Sequence, residues 1–160
     1  MQHSEGPGAG PVARSISVVL AGSGGAGVMT AGNMLLEAAA HAGYYALMTR
    51  SSGPQIRGGE AAAMIRISCV PIDCMDDHFH VLAAVDWDNV HRFGAEIPLG
   101  PDSLIAGDPD QGEPHEVFTR SGAAFLRICG RPGHPPHRLP EAHRVCERKL
   151  LPTHGDFLRR

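Results

Sequence analysis

Aromatic side chains are scarce in this sequence of 160 residues: they make up 5% of the chain and include one Trp. A surface that stacks nucleic-acid bases on aromatic rings therefore lacks its main component. Basic charge is also scarce, since 14 Lys and Arg face 17 Asp and Glu and give a formal net charge of −3. This balance provides no electrostatic footprint for nucleic acid or for an anionic membrane, and we expect neither as a partner.

Long hydrophobic runs are missing as well. The apolar run that begins at Ile16 is interrupted by glycine from Gly22 onward, which is too soon to span a bilayer. The first 14 residues carry Gly and Pro where a signal peptide needs an apolar segment. The four cysteines, at positions 69, 74, 129 and 146, form no CxxC pair and no regular disulfide framework. We therefore expect a reduced, cytoplasmic setting.

Several catalytic and metal-binding signatures are also absent. The single lysine, Lys149, lies outside any phosphate-loop pattern, and neither G-x-S-x-G nor H-E-x-x-H occurs, so hydrolase and P-loop classes lack support. An iron–sulfur cluster needs four thiolates in a compact array, which Cys69 and Cys74 do not provide. The sequence DDHFH at 76–80 could form a loose metal site, but a solvated turn before a strand is the preferred interpretation. We expect no metal on this chain.

The remaining sequence has the composition of a globular domain, with 42% hydrophobic and 19% charged residues. A short β-branched run, a glycine turn, an Ala-rich helix and a second strand follow one another within about 35 residues, as in a βαβ unit. The pattern predicts strands at 16–21, 44–49, 61–68, 80–85 and 103–107, and helices at 28–42 and 86–93. The fold expected is α/β, an open three-layer, mostly parallel Rossmann-like sheet with helices on both faces.

The composition divides the chain into three parts. Residues 1–15 are predicted to form a disordered lead-in, 16–127 an α/β domain, and 128–160 an irregular tail rich in Pro, His and Arg. Residues 128–160 carry seven basic and three acidic side chains, a balance of +4, whereas the rest of the chain carries −7. The tail is either a basic docking arm or a non-native ending after a truncation or a shifted reading frame.

The first glycine segment, GSGGAG at 22–27, fits G-x-G-x-x-G and lies between a predicted strand and a predicted helix. Gly22 would permit the turn, Gly24 would let the backbone approach an anion, and Gly27 would let the helix pack on the strand. The acidic residue that holds the ribose in classical NAD sites is missing, and Arg50 stands in that region. The turn therefore either holds a nucleotide pyrophosphate or serves packing and subunit contact. Packing and subunit contact is the preferred interpretation.

The second glycine segment, RSSGPQIRGGE at 50–60, joins the second predicted strand to the third. Loops at the carboxyl ends of parallel strands are where such sheets bind ligands. Arg57 followed by Gly58 and Gly59 combines a planar anion-binding fork with a backbone that no side chain obstructs. The loop is therefore a candidate binding segment, and the alternative is a surface loop whose arginine meets only water.

Acidic residues also stand at a second predicted helix start. Asp86 and Asp88 flank Trp87 after the fourth predicted strand, where negative side chains favour the helix dipole. We interpret these two residues as helix capping rather than as catalytic acids.

Taken in order, these segments resemble the γ domain of the 2-oxoacid:ferredoxin (acceptor) oxidoreductases of the pyruvate and 2-oxoglutarate type. The matching features span residues 16–120 and include GSGGAGV at 22–28, an Ala-rich helix at 31–42, Gly-Tyr at 43–44, SSGPQIRGG at 51–59, IRIS at 65–68, Pro-Ile at 71–72 and a strand with an acidic turn at 80–86. The resemblance is closest to chains with this domain fused ahead of the α part. It implies a truncated chain, because the α part is absent and the tail does not match.

This resemblance implies a role in the oxidative decarboxylation of a 2-oxoacid to acyl-coenzyme A by a thiamine-diphosphate enzyme. Electrons pass through iron–sulfur clusters to ferredoxin, and the thiamine cofactor lies between the α and β parts, which are the implied partners. The γ domain covers that site on its coenzyme A side, so this chain would bind no cofactor alone and would not be catalytic alone. The residues carried over as the cofactor-facing interface are Gly22, Ser23, Gly24, Gly25, Gly27, Ser52, Gly53, Arg57, Gly58 and Gly59.

Two other hypotheses remain open at this point. The chain could be a standalone Rossmann-like nucleotide-binding module whose glycine turn holds a pyrophosphate. It could also be a truncated remnant without activity.

Overall fold

A computed structural model describes residues 15–53, 59–88 and 90–128 of the chain. The strands are β1 (Ser15–Ser23), β2 (Tyr45–Ser52), β3 (Glu60–Ser68), β4 (Val81–Ala84), β5 (Leu104–Gly107) and β6 (Ala124–Arg127). The α-helices are α1 (Val28–His41) and α2 (Glu116–Thr119), and 3-10 helices span Val90–Ala95 and Pro109–Gln111. The lead-in and the tail predicted from composition lie outside the described residues, apart from Ser15 and Ile128.

All six strands form one sheet in the order β2-β3-β1-β4-β5-β6. The pairs β1–β4, β4–β5 and β5–β6 are parallel, whereas β3 is antiparallel to both of its neighbours, β1 and β2. Within the described residues, β3 is thus the one strand that opposes the other five. The mostly parallel α/β prediction is confirmed, and the β1–α1–β2 crossover joins two parallel strands between which β3 is inserted.

Helices cover the sheet on both faces because successive strand residues point in opposite directions. On one face α1 packs on β1, β2 and β3 through Val28, Ala39, Ile65 and their neighbours. On the other face the larger core joins Val19 and Ile105 to aromatic residues of the 3-10 helix and α2, with Phe93 and Phe118 both buried. The three-layer prediction is confirmed by these two faces.

The contact between α1 and β3 is unusually close at Gly32, which lies at the buried side of the helix. A Cβ at this position would lie 2.7 Å from the Ala63 Cβ and 3.1 Å from the Met48 Sδ. β3 carries three consecutive alanines, Ala61 to Ala63, so the strand itself presents little side-chain bulk to the helix. Gly32, rather than Gly27, therefore provides the close helix–strand packing that the sequence assigned to the glycine turn.

We expect the substitution Gly32→Val to lower the free energy of unfolding by about 1–3 kcal/mol, because it forces α1 away from β3. Denaturant unfolding of the full chain measures this difference. The matched control is Ala31→Val, one residue earlier at an exposed position, where the helix propensity of Val costs only about 0.6 kcal/mol. Equal losses in the two variants would contradict the close packing at Gly32.

One predicted helix differs from the structure. The segment after β4 was expected to be helical from Asp86 to Phe93, but it forms a turn and then a 3-10 helix at Val90–Ala95. The Asp86 carboxylate accepts the backbone N–H of Asp88 (3.1 Å), so the capping expected of this acid occurs as a local turn. The same carboxylate also accepts two hydrogen bonds from Ser23 of the glycine turn, both at 2.9 Å.

Candidate functional site

The two glycine segments meet at one edge of the sheet. β1 ends at Ser23, and because β3 runs in the opposite direction its first residue, Glu60, pairs with Ser23. The backbone N–H of Gly24 donates to the carbonyl oxygen of Gly59, which joins the turn at 22–27 to the end of the β2–β3 loop. This edge holds the carboxyl ends of the parallel strands, where sheets of this class bind ligands.

Gly24 is the point of closest approach between these segments. A Cβ at Gly24 would lie within 3 Å of the Gly59 carbonyl oxygen, a contact that side-chain carbons do not tolerate. From the sequence, Gly24 is expected to let the backbone approach an anion. In the structure the backbone of Gly59 lies against Gly24 instead. The glycine turn is therefore joined to the end of the β2–β3 loop at Gly59.

The other predicted residues of the second segment are positioned in part. Ser52 closes β2 by pairing with Ala61, and the N–H of Gly53 donates to the Glu60 carbonyl oxygen (3.0 Å). Arg57 and Gly58 lie outside the described residues. Both ends of the loop, at Gly53 and Gly59, are thus held by backbone hydrogen bonds.

Asp86 is the main partner of the glycine turn. Its carboxylate accepts the backbone N–H of Ser23 through Oδ2 and the Ser23 hydroxyl through Oδ1, both at 2.9 Å. β1 leads to β2 on one side of the sheet and β4 leads to β5 on the other, so Asp86 lies where the strand order reverses. In doubly wound sheets that crevice is the usual ligand position.

Three backbone N–H groups of the turn are therefore already hydrogen-bonded within the chain. The amides of Ser23 and Gly24 donate to Asp86 and Gly59, and the amide of Ala26 donates to the Ser23 carbonyl oxygen (3.0 Å). Gly25 and Gly27 take left-handed conformations, with φ of 96° and 91°, which are the conformations that favour glycine. A phosphate at this turn would compete with a carboxylate already bound to it and would be repelled by its charge.

Arg50, which stands in the region where classical NAD sites have their acidic residue, contacts α1 in the structure. Its guanidinium donates from Nη2 to the side-chain oxygen of Asn33 on α1 (3.3 Å) at an exposed position. This contact ties the edge strand β2 to the helix. Together with Asp86, it favours the packing and contact interpretation of the glycine turn over the dinucleotide interpretation.

Glu60 is a buried carboxylate at the base of the loop. Its residue is 4% exposed, and it forms an ion pair with Arg92 from the 3-10 helix at 3.2 Å. A hydrogen bond from the Glu60 backbone lowers the pKa of this carboxyl from its ordinary value of 4.5, burial opposes that shift, and Arg92 and His91 reinforce it. The ionised carboxylate is therefore the form that the fold stabilises.

This pKa direction predicts an acid-dependent loss of stability. The folded chain binds the Glu60 proton less readily than the unfolded chain, so the contribution of Glu60 is complete above pH 4.5 and is lost as the pH falls toward the lowered pKa. We expect the difference in unfolding free energy between the natural chain and Glu60→Gln to shrink from about pH 6 to about pH 3. A difference that stays the same across this pH range would contradict the assignment.

An apolar groove of about 220 Å³ lies beside the glycine turn. It is on the face that α1 covers over β1 to β3, and no described helix covers the β4–β6 part of that face. Val85 and Ile128 remain 40% and 50% exposed at its edges. The residues that line it are Leu20, Ala83, Ala84, Val85, Ala106, Gly107, Asp108 and Ile128.

The acidic and histidine residues at 76–80 act locally in the fold. The Asp76 carboxylate accepts the Ser17 hydroxyl (3.4 Å) and faces Arg66, and His80 Nδ1 accepts the Ser17 backbone N–H (3.1 Å). Among the described residues no cluster of three or more His, Cys, Asp or Glu side chains is placed to hold a metal ion. In the described ranges, no helix is both long enough and apolar enough to cross a membrane.

The sequence does not show that Asp86 and Glu60 are partners of the two glycine segments. Asp86 is 63 residues from Ser23 in the chain, so the contact depends on β1 and β4 being neighbours. Glu60 carried one usable signal, a charged residue that opens an otherwise apolar strand. A buried carboxylate at that position implies a partner cation, which the structure identifies as Arg92.

Comparison with known proteins shows the relationships of this chain. A family model described as pyruvate ferredoxin/flavodoxin oxidoreductase matches residues 17–135. The 2-oxoglutarate synthase subunit KorC of Archaeoglobus fulgidus is 43% identical over 60 residues, which cover 38% of this chain and 32% of that protein. This chain therefore spans about a third of that relative.

Solved structures of similar proteins have the same fold. A 2-oxoglutarate:ferredoxin oxidoreductase from Magnetococcus marinus, solved with 2-oxoglutarate, coenzyme A and succinyl-CoA bound, is 26% identical with a TM-score of 0.61. The match covers 72% of this chain and 20% of that one. The γ subunit of a keto/oxoacid ferredoxin oxidoreductase from Geobacter sulfurreducens is 22% identical with a TM-score of 0.54, over 71% of this chain and 60% of that one. At the latter identity the likeness concerns the fold.

Proposed function

This chain belongs to the pyruvate ferredoxin/flavodoxin oxidoreductase family, and from that premise we propose that it is the γ component of a 2-oxoacid:ferredoxin oxidoreductase. The proposed complex uses thiamine diphosphate to convert a 2-oxoacid oxidatively to an acyl-coenzyme A, and passes electrons through iron–sulfur clusters to ferredoxin. In this proposal the α and β parts hold the thiamine diphosphate, and this chain covers the active site from its coenzyme A side in the cytoplasm.

The observation that carries the proposal is the union of the two glycine segments through Gly24 and Gly59 at the carboxyl edge of the sheet. Side-chain-free backbone at this edge can approach another molecule closely. Because Asp86 and Gly59 occupy two of the turn's amides, a second polypeptide suits this surface better than a phosphate does. The resemblance assigns coenzyme A to the adjoining loop, through Arg57.

The apolar groove supports an assembly role. Exposed apolar surface that is continuous over several residues marks interaction sites in soluble proteins. Val85 borders the groove, and a Cβ at Gly22 would contact its Cβ, so groove and glycine turn form one continuous surface. We assign this surface to the α and β parts, the partners that the family resemblance implies.

Reconstitution tests the proposal. The full chain is combined with α and β parts of a relative that has had its own γ part deleted, and 2-oxoacid-dependent reduction of ferredoxin is measured with coenzyme A. We expect no turnover from the isolated chain and turnover in the complete mixture. Activity of the α and β parts that this chain leaves unchanged would contradict the proposal, as would 2-oxoacid turnover by this chain alone.

The nucleotide-binding alternative is tested separately by thermal melting of the isolated chain. A module that holds NAD or NADP at the glycine turn would gain about 2.7 kcal/mol with the ligand at 100 times its dissociation constant. The occupied amides of Ser23 and Gly24 predict no such shift with either dinucleotide. A clear shift would favour the standalone module.

A further inference from the structure

Strand β2 lies at one end of the sheet that the described residues form, because the strand order begins with it. It pairs with β3 over its whole length, from Tyr45 to Ser52, and within the described ranges no strand pairs with its other side. An edge of eight residues presents about 26 Å of backbone donors and acceptors. Such an edge is a template for pairing with another chain.

β2 also lacks the features that usually prevent an edge strand from pairing. Its sequence, YALMTRSS, contains no proline, no lysine and no acidic residue. Each residue of β2 faces one residue of β3 without interruption, so no bulge twists the edge away. Arg50 is the one charged residue of the strand, and its guanidinium donates to Asn33 on α1. The edge is therefore open to a further strand.

The hydrogen bonds to β3 identify the backbone groups at this edge. The Gly53 N–H donates to the Glu60 carbonyl oxygen, and these two residues continue the register of β2 with β3. In an antiparallel pair, residues that bond to the partner strand alternate with residues that point away from it. The odd-numbered residues of β2 therefore bond to β3. The outward N–H and C=O groups belong to the even-numbered residues, which are Ala46, Met48, Arg50 and Ser52.

These outward groups are complementary to those of a second copy of the same strand. A twofold axis at Thr49 aligns the second copy antiparallel to β2 and places Met48 opposite Arg50 of that copy. The same axis places Ala46 opposite Ser52. Every outward residue then has a partner with which it exchanges two hydrogen bonds. Thr49 faces its own copy across the axis, and threonine pairs are favourable cross-strand contacts.

The neighbouring positions of the axis fit less well. An axis at Met48 would leave Ser52 opposite Tyr44. The Tyr44 N–H already donates to the Ala39 carbonyl oxygen (3.0 Å), so this register loses hydrogen bonds between the copies. An axis at Arg50 would place two guanidinium groups directly opposite each other, which is destabilising. The pairing pattern therefore selects the axis at Thr49.

Helix α1 supplies a charge that fits this register. Asn33 contacts Arg50 of its own chain, and Glu37 lies one turn further along the same face of the exposed helix surface. α1 connects two parallel strands and runs opposite to β2, so this turn of about 6 Å brings Glu37 level with Met48. The second copy presents Arg50 opposite Met48. The Glu37 carboxylate, which forms no ion pair among the described residues, therefore faces a guanidinium of the second copy.

The two copies of α1 do not collide in this arrangement. α1 packs most closely on β3, where Gly32 lies against Ala63. Three strand spacings separate β3 from its own copy, so the helices are about 14 Å apart. Helices in direct contact are about 8–10 Å apart, which leaves room for the side chains between the two copies.

We propose that β2 is a self-association edge, at which two copies of this chain pair antiparallel about a twofold axis at Thr49 and form one continuous sheet. The apolar groove beside the glycine turn lies toward β4 and β5, at the other end of the strand order, so both surfaces can be occupied at once. The pairing concerns this chain alone and is independent of the proposed function.

Sedimentation velocity of the full chain over a dilution series tests the association. We expect a dimer that dissociates on dilution. Thr49→Lys places two ammonium groups opposite each other at an exposed position and should raise the Kd of the dimer about tenfold. The control Thr49→Val keeps a β-branched side chain and should leave the Kd unchanged. A monomeric natural chain, or a dimer that Thr49→Lys leaves as tight as Thr49→Val, would overturn the proposal.

Oxidative cross-linking of the full chain tests the register. Thr49→Cys should give a disulfide between the two copies of the substituted position, because Cα atoms in such a pair are about 4.5 Å apart. Leu47→Cys is the matched control on the same face, since its two copies would be about 13 Å apart and out of reach. Mass spectrometry of peptides separates this bond from bonds of the natural cysteines. Equal cross-linking of the two variants would overturn the pairing, also where Thr49→Lys fails to fold.

Discussion

Replacement of Gly24 by Ala is expected to lower the free energy of unfolding by about 1–3 kcal/mol, although most exposed substitutions of this size are neutral. The added Cβ would lie too close to the Gly59 carbonyl oxygen, and both partners are backbone, so no side chain can rotate away. The Gly24–Gly59 hydrogen bond is strained or broken at the same time. Thermal or denaturant unfolding of the full chain measures the loss.

The matched control is Gly100→Ala. Gly100 also lies in a loop, but a Cβ there would meet nothing within 4 Å. Removing a glycine from a compatible position stabilises a protein by about 0.4–1 kcal/mol through the unfolded chain. The two variants should therefore differ in sign; a Gly24→Ala chain as stable as Gly100→Ala would mean that the two glycine segments are not joined.

Arg57→Ala is expected to lower kcat/KM for coenzyme A in the reconstituted complex by about 10- to 100-fold, which is the loss for a hydrogen bond to a charged group. The guanidinium fork matches a phosphate in two-point geometry, whereas an ammonium provides only a point charge. Arg57→Lys should therefore recover part of the activity. The KM for the 2-oxoacid should not change, since the proposed function places this chain on the coenzyme A side.

Arg50→Ala is the control for this prediction. Arg50 is seven residues earlier in the same segment, and its guanidinium donates to the Asn33 side chain on α1. We expect its removal to leave the coenzyme A kinetics unchanged. If Arg57→Ala and Arg50→Ala give the same coenzyme A kinetics, the loop does not contact coenzyme A. The assignment as a γ component would then depend only on assembly with the α and β parts.

The fold could be predicted where an apolar pattern is sustained over a whole element. β1, β3 and α1 each combine an apolar pattern with clear boundaries, and their predicted ends differ from the structure by at most two residues. β2 extends three residues further than predicted, through Arg50, Ser51 and Ser52, because pairing with β3 outweighs the polarity of these residues at an exposed edge. Periodicity carries no strand direction, so the insertion of antiparallel β3 was not predictable.

Short elements were missed for a different reason. β6 and α2 contain four residues each, which is less than the window over which either periodicity can be recognised. Their positions depend on partners: β6 pairs with β5, and Phe118 of α2 enters the larger core. The sequence contains these residues but does not show what they contact.

The candidate site, too, was predictable in its local sequence patterns and not in its long-range contacts. The glycine pattern and the carboxyl-edge loop were readable because glycine restricts the geometry locally. Asp86 and Ser23 are 63 positions apart in the sequence, and Glu60 and Arg92 are 32 positions apart. Only the order of the strands in the sheet brings the members of each pair into contact. The structure thereby changes the meaning of the glycine turn, because an internal carboxylate lies where a phosphate was one possible occupant.

Amide hydrogen exchange at the glycine turn and at Gly59–Glu60 tests the central claim most directly, in the full chain with either NADP or the α and β parts added. If this joined edge is a surface for other subunits, the α and β parts slow exchange at residues 22–27 and 59–60, and NADP does not. Slower exchange with NADP, together with no change on adding the α and β parts, would contradict the account and identify a nucleotide-binding module instead.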